Sequence, residues 1–200
     1  ASGGATPYDY SIDGVIFQGS GTFTNLNGSS YSAIARDAAG CLASAQFTIN
    51  EPAPIQIILD SVIDLSCNGG NDGEIYVSVS GGTSPYTYLW SNGSTSEDVT
   101  GLSAGTWGLT VTDDNGCTQT FSATVTQPTA LSLNLASQAN PSCNGSSDGL
   151  LDITVNGGTP PYVFSWSNST TSEDLSNVPD GTYTVGVTDD NGCTISGTYT

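Results

Sequence analysis

Five cysteines and nineteen acidic side chains are the residues of this 200-residue chain that could do chemistry. They have few partners. Histidine is absent, and Arg36 is the only basic residue. Without histidine or lysine, Ser-His-Asp, Cys-His and Schiff-base chemistry are excluded within this sequence. Cys41, Cys67, Cys117, Cys143 and Cys193 form no CxxC pair, and with no histidine to join them they argue against zinc. Disulfides in an oxidising compartment fit them better. The acidic pairs Glu97/Asp98 and Asp113/Asp114 are adjacent in sequence, and neighbours on a strand point to opposite faces, which is poor geometry for a two-carboxylate glycosidase. The expectation is that the chain is not an enzyme.

A net charge of -18 repels nucleic acid and anionic lipid and attracts cations. A solvated, aggregation-resistant surface accounts for most of the carboxylates. The lack of lysine leaves trypsin almost nothing to cut and rules out Lys–Asn isopeptide bonds. Six aspartates are candidate Ca²⁺ ligands. Asp72, Asp113, Asp114, Asp148, Asp189 and Asp190 sit in Gly/Asn-rich turns that present carboxylate and carbonyl oxygens. None completes an EF-hand loop, and Asp-Asn-Gly is equally a good tight-turn sequence.

The elements that must position these residues follow from a repeat. "VTDDNGCT" occurs at Val111–Thr118 and again, letter for letter, at Val187–Thr194, 76 residues on. The same interval separates Cys41 from Cys117 and Cys67 from Cys143. "GGTSPYTYLWSNGSTSED" at Gly81 matches "GGTPPYVFSWSNSTTSED" at Gly157, and "CNGGNDG" at Cys67 matches "CNGSSDG" at Cys143. A more diverged copy runs from "GGATPYDYSIDG" at Gly3 to "RDAAGC" at Cys41. The expected domains are therefore a truncated first repeat (1–52), a second (53–128) and a third (129–200), in a window cut from something longer. The joints fall near "NEPAP" at Asn50 and "TQPTA" at Thr126. No apolar run could span a membrane, no signal peptide is present, and no helical periodicity appears.

Within a repeat, period-2 alternation predicts strands A (Ile55–Ile63), B (Glu74–Ser80), C (Tyr86–Ser91), D/E (Ser94–Leu102), F (Thr106–Thr112) and G (Thr118–Thr126). The fold class is all-β, as tandem immunoglobulin-like β-sandwich repeats in an elongated head-to-tail array. Trp90 and Trp166 are expected between the sheets, as core rather than as ligand platforms.

The pattern C-N-G-x-x-D-G … G-G-T-x-P-Y-x-[YF]-x-W-S-N … G-T-[WY]-x-[LV]-x-V-T-D-D-N-G-C resembles the SprB repeat of Bacteroidota surface proteins. It is carried well by residues 55–200 and loosely by 3–52, where Ile12 stands for the tryptophan and Ala38 for the second aspartate. "GTYTVGVTDDNG" is also similar to PKD-type domains. The resemblance implies a large repetitive adhesin, exported by type IX secretion and involved in gliding motility and cell adhesion. It also places the chain outside the cell, at the cell surface. Asp60-Ser61-Val62 looks like the O-glycosylation signal of that phylum, which makes Ser61 a candidate glycosylation site; the Asn-x-Ser/Thr sequons carry little weight in a bacterium.

Two disulfide patterns are open. Cys67 can pair with Cys117 and Cys143 with Cys193, each within a repeat. In an immunoglobulin-like order, however, the A–B and F–G loops lie at opposite ends of a sandwich, and strand B spans roughly 23 Å, far beyond the about 7 Å that a disulfide allows between Cα atoms. A head-to-tail array would instead join Cys67 to Cys193, and this is the pairing the reading favours. Asp72 would then meet Asp189 and Asp190 across the joint, where Ca²⁺ could clamp them. The function expected is a stalk segment of a surface adhesin or filament that bears force and presents a distal tip. Its partners would be neighbouring repeats, copies of itself in a filament, and a surface polysaccharide or substratum reached through regions outside the window, with no nucleic acid and no membrane insertion. The alternatives are a spacer or carbohydrate-binding accessory module of a secreted hydrolase, and a module that binds a ligand on an exposed sheet face.

Overall fold

A computed structural model describes residues 1–200. Every regular element is a strand. The chain divides into two compact units, Ala1–Pro54 and Ile55–Thr200.

The first unit holds one antiparallel sheet of β1 (Asp9–Ser11), β2 (Ser29–Arg36) and β3 (Leu42–Ile49), in that order. Arg36 is used inside this unit. Its Nη2 donates to Asp9 Oδ2 at 3.0 Å, and its guanidinium lies 4.1 Å from the centre of the Phe17 ring.

The second unit contains both full repeats. In the first of them, β4 (Gln56–Ile63), β5 (Gly73–Ser80) and β7 (Val99–Leu102) form one sheet, and β6 (Thr87–Trp90), β8 (Gly105–Thr112) and β9 (Thr118–Val125) form the other. The next copy repeats this with β10 (Ser132–Ala139), β11 (Gly149–Asn156) and β13 (Leu175–Val178) against β12 (Val163–Trp166), β14 (Tyr183–Thr188) and β15 (Thr194–Tyr199). In chain order these are the A-B-E and C-F-G sheets of an immunoglobulin-like sandwich. Two side-chain marks of that fold recur. Trp90 and Trp166 on strand C are buried between the sheets. At the start of strand F, Tyr31, Trp107 and Tyr183 each bond the carbonyl four residues upstream, those of Asn27, Ser103 and Pro179.

The alternating apolar positions explain the burial. Ile75 and Val77 on β5 face Leu109 and Val111 on β8 and Ala123 and Val125 on β9, and Trp90 fills the space among them. Leu151, Ile153, Trp166, Leu175, Val185 and Val187 repeat the arrangement in a separate second cluster. Each fully buried side chain of this size contributes about 1.5–3 kcal/mol.

One element departs from expectation. Ser94–Leu102 reads as strand D/E, yet only Val99–Leu102 pairs. The preceding residues wrap the tryptophan instead. Trp90 Nε1 donates to the Ser96 carbonyl at 3.0 Å. Asp98 Oδ1 accepts the Val77 amide, and Asp174 Oδ1 accepts the Ile153 amide, each at 3.0 Å. A carboxylate thus replaces ladder bonds where β7 and β13 stop short.

Candidate functional site, the joint between two sandwiches

The loops that carry the cysteines are built in the same way in each copy. Asp113 is buried at the end of β8. Its Oδ1 accepts the amides of Asn115 (3.0 Å) and Cys117 (2.8 Å), and its Oδ2 accepts that of Thr83 (3.0 Å). Asp189 does the same with Asn191, Cys193 and Thr159, and Asp37 with Ala39, Cys41 and Ala5. One carboxylate therefore folds each F–G loop and fastens it to the B–C loop. Burial raises the Asp113 and Asp189 carboxyls, but the amide bonds outweigh it and hold both below the ordinary value. At Asp37 the Ala5 and Cys41 amides lead, in the same direction. The second aspartate plays no such part. Asp114 and Asp190 offer only backbone amides, to the carbonyls of Thr83 and Thr159, and Ala38 does the same toward Ala5 in the first copy.

The A–B loop has its own brace. Asp72 accepts the Ser66 hydroxyl and amide, and these bonds, the hydroxyl first, lower its carboxyl from the ordinary value. Asp148 is lowered likewise through Ser142. Gly73 must be glycine because a Cβ there would lie 2.6 Å from Val125 Cγ1 and 2.9 Å from the Leu102 carbonyl oxygen.

These two loops meet. The A–B loop of the second repeat abuts the F–G loop of the third, and Cys67 is bonded to Cys193 with Cα atoms 5.7 Å apart at a sequence separation of 126. Asn191 Nδ2 donates to the Ser66 carbonyl across the joint (3.0 Å) and to Thr159 Oγ1 within its own repeat (3.1 Å). Cys193 Sγ, which carries no proton once bonded, lies 3.4 Å from the same Ser66 oxygen. The linker is fastened on both sides. Asn68 Nδ2 donates to the Pro128 carbonyl (2.9 Å), the Gly69 amide to Gln127 Oε1 (2.8 Å) and the Gly158 amide to the Thr129 carbonyl (2.7 Å). The intra-repeat pairs Cys67–Cys117 and Cys143–Cys193 do not form; Cys41, Cys117 and Cys143 are exposed thiols.

The six aspartates expected at calcium sites are not brought together. No three acidic or cysteine side chains gather as a metal ion would need. Asp72, Asp113, Asp148 and Asp189 instead accept hydrogen bonds that shape their own loops, while Asp114 and Asp190 are exposed. Ser61 is exposed on β4, an edge strand beside a register shift at Leu59/Ser61. Asn191 is where the head-to-tail reading places it, facing the A–B loop of the second repeat; the residues that sequence reasoning missed at the joint are Ser66 and Gln127. Their signal was slight, because a serine beside Cys67 reads as an ordinary turn residue and a glutamine before Pro128 as an ordinary linker residue.

The SprB repeat family matches residues 60–95 and 135–171, the A–B hairpin through strand C of each sandwich. The SprB repeat match thus recurs once in each of the two full sandwiches. The comparison with curated proteins finds no match. Among solved structures, the chain is similar to the N-terminal eight Ig domains of Down Syndrome Cell Adhesion Molecule (14% identity, 86% of this chain, 28% of that one, TM-score 0.43). It is also similar to Sidekick-1 immunoglobulin domains 1-5 (12%, 96% and 50%, 0.34) and to extracellular domains 3-5 of Drosophila OTK (12%, 86% and 69%, 0.29). The chain thus spans 28% of the first of these structures.

Proposed function

We propose that this chain is a stalk segment of a repetitive, adhesin-like surface protein, and that its SprB repeats are locked end to end to hold a binding tip away from the cell and carry load. The observation behind this reading is the joint, where one disulfide and three linker hydrogen bonds fix two sandwiches against each other. A spacer needs no such lock. A formed disulfide and immunoglobulin-like repeats fit an extracellular or cell-surface protein; no helix is long and apolar enough to cross a membrane. A sheet-face ligand site has less support, because the exposed strand-C positions differ between copies: Thr87 and Leu89 in one, Val163 and Ser165 in the other.

Small-angle scattering of the chain tests stiffness at the joint. The expected result is a distance distribution that broadens on reduction and equally in Cys67→Ser/Cys193→Ser. An unchanged distribution in both would remove the stalk reading and favour the spacer. The SprB match extends the proposal to type IX export and gliding, tested by loss of the protein from the surface of secretion-deficient cells.

A further inference from the structure

Each repeat in the second unit carries both halves of the joint, yet only one of each is used. The used socket is Asn191 and Cys193; the used plug is Ser66 and Cys67. An unused socket lies in the second repeat. Asp113 sets the F–G loop with the same 2.8 Å bond to the Cys117 amide that Asp189 makes to Cys193. Asn115 Nδ2 donates to Thr83 Oγ1 at 2.9 Å, as Asn191 does to Thr159, but makes no bond to another repeat. Cys117 is an exposed thiol. An unused plug lies in the third repeat. Asp148 braces Ser142 through its amide at 3.0 Å, and the Ser146 amide closes the turn on the Cys143 carbonyl at 3.0 Å as the Gly70 amide does on Cys67 at 3.1 Å. Cys143 too is an exposed thiol.

From these matching halves we infer that Cys117 and Cys143 are joint sites of the same kind. Cys143, with the Ser142 carbonyl, takes the Asp-Asn-Gly-Cys loop of another SprB-type repeat. Cys117, with Asn115, takes a Ser-Cys-Asn-Gly loop. Every repeat is then bonded to both neighbours through different cysteines, and the bonds are staggered so that their sequence intervals overlap. The first copy marks the limit of the rule: Cys41 is present, but Ala39 stands where Asn115 and Asn191 stand, so its socket has the sulfur and lacks the amide.

Bond formation takes two electrons and two protons from the two thiols. One glutathione disulfide accepts them and leaves as two glutathione thiols, so thiol–disulfide exchange balances the step.

The inference rests on reading the chain as part of an array, but its test does not depend on whether that array bears load. The chain is lengthened at Thr200 by a further copy of residues 125–200 and refolded in a glutathione redox buffer. Non-reducing peptide mapping should find Cys143 joined to the added copy of Cys193, across the same 126-residue separation as the existing bond, with Cys67–Cys193 intact. A second readout is the rate of reduction by dithiothreitol. Asn191→Ala in the added copy should make the new bond reduce several-fold faster, while Asn191→Ala in the original copy accelerates only Cys67–Cys193. If Cys143 stays a free thiol while Cys67–Cys193 forms, or if the Asn191 variants reduce at unchanged rates, the inference is overturned.

Discussion

At the scale of single residues, the two aspartates of "VTDDNGCT" divide the labour. The first is a loop-former with three backbone amides on one carboxylate; the second is exposed. Both looked alike as calcium ligands in the sequence, because a turn rich in Asp, Asn and Gly offers oxygens whether or not they converge. Where a carboxylate points is decided by loop closure, which composition does not encode. One trace was legible, since the diverged copy keeps Asp37 and replaces the second aspartate by Ala38. Asp189→Asn should therefore lower the melting temperature by several degrees, because the amide brings a donor where three donors already point, whereas Asp190→Asn should leave it within error. Thermal denaturation of the pair checks this. The same bonds set the pH response. The carboxyls of Asp37, Asp72, Asp113, Asp148 and Asp189 all lie below their unfolded value when folded. Their contribution is complete above the ordinary carboxylate range near pH 4 and is lost as pH falls through the depressed values. Urea midpoints should form a plateau toward neutral pH and fall steeply on the acid side, and Asp113→Asn/Asp189→Asn should flatten that fall.

At the scale of elements, the strands were legible almost to the residue, because Val, Ile and Tyr alternate with Ser and Thr and glycine turns mark the ends. The stretch Ser94–Asp98 was not, because its Ser-rich alternation looks like a strand while its hydrogen bonds go to a tryptophan and to the neighbouring β5. The meeting of A–B and F–G loops could be deduced from chain order alone, but the linker clamp could not, since it depends on where Asn68 and Gln127 side chains reach. Gly158 holds that clamp. Its φ is +62°, and a Cβ there would lie 2.7 Å from both Asp189 Oδ2 and Leu131 Cδ2. Gly158→Ala should cost more than about 1 kcal/mol and speed hydrogen exchange at its own amide and at Gly69. Gly192→Ala, with φ +83° and open space around it, should bear the backbone strain alone and leave Gly69 unchanged.

At the scale of the molecule, a net charge of -18 is carried by dispersed carboxylates rather than by a cluster. Raising salt should stabilise the chain by screening, as the Debye length shrinks from about 30 Å at 0.01 M to about 3 Å at 1 M. At matched ionic strength CaCl₂ and NaCl should act alike. A saturable extra effect of Ca²⁺, abolished by Asp72→Asn or Asp190→Asn, would restore the calcium clamp.

The disulfide also reroutes tension. A pull applied at Ile55 and Thr200 runs along β4 to Cys67, crosses directly to Cys193 and leaves along β15. The chain between them, a sequence separation of 126, sits on a slack loop outside the stressed path. Stretched out, such a loop would be roughly 400–450 Å long at ~3.4 Å per residue, and none of that length is available while the bond holds. In single-molecule pulling, unfolding of this unit should release only a short contour increment. Adding a reductant should then unlock a further step of about that hidden length. The segment would behave as a short tether in an oxidising medium and as a long one in a reducing medium, so its reach would be set by the redox state of its surroundings.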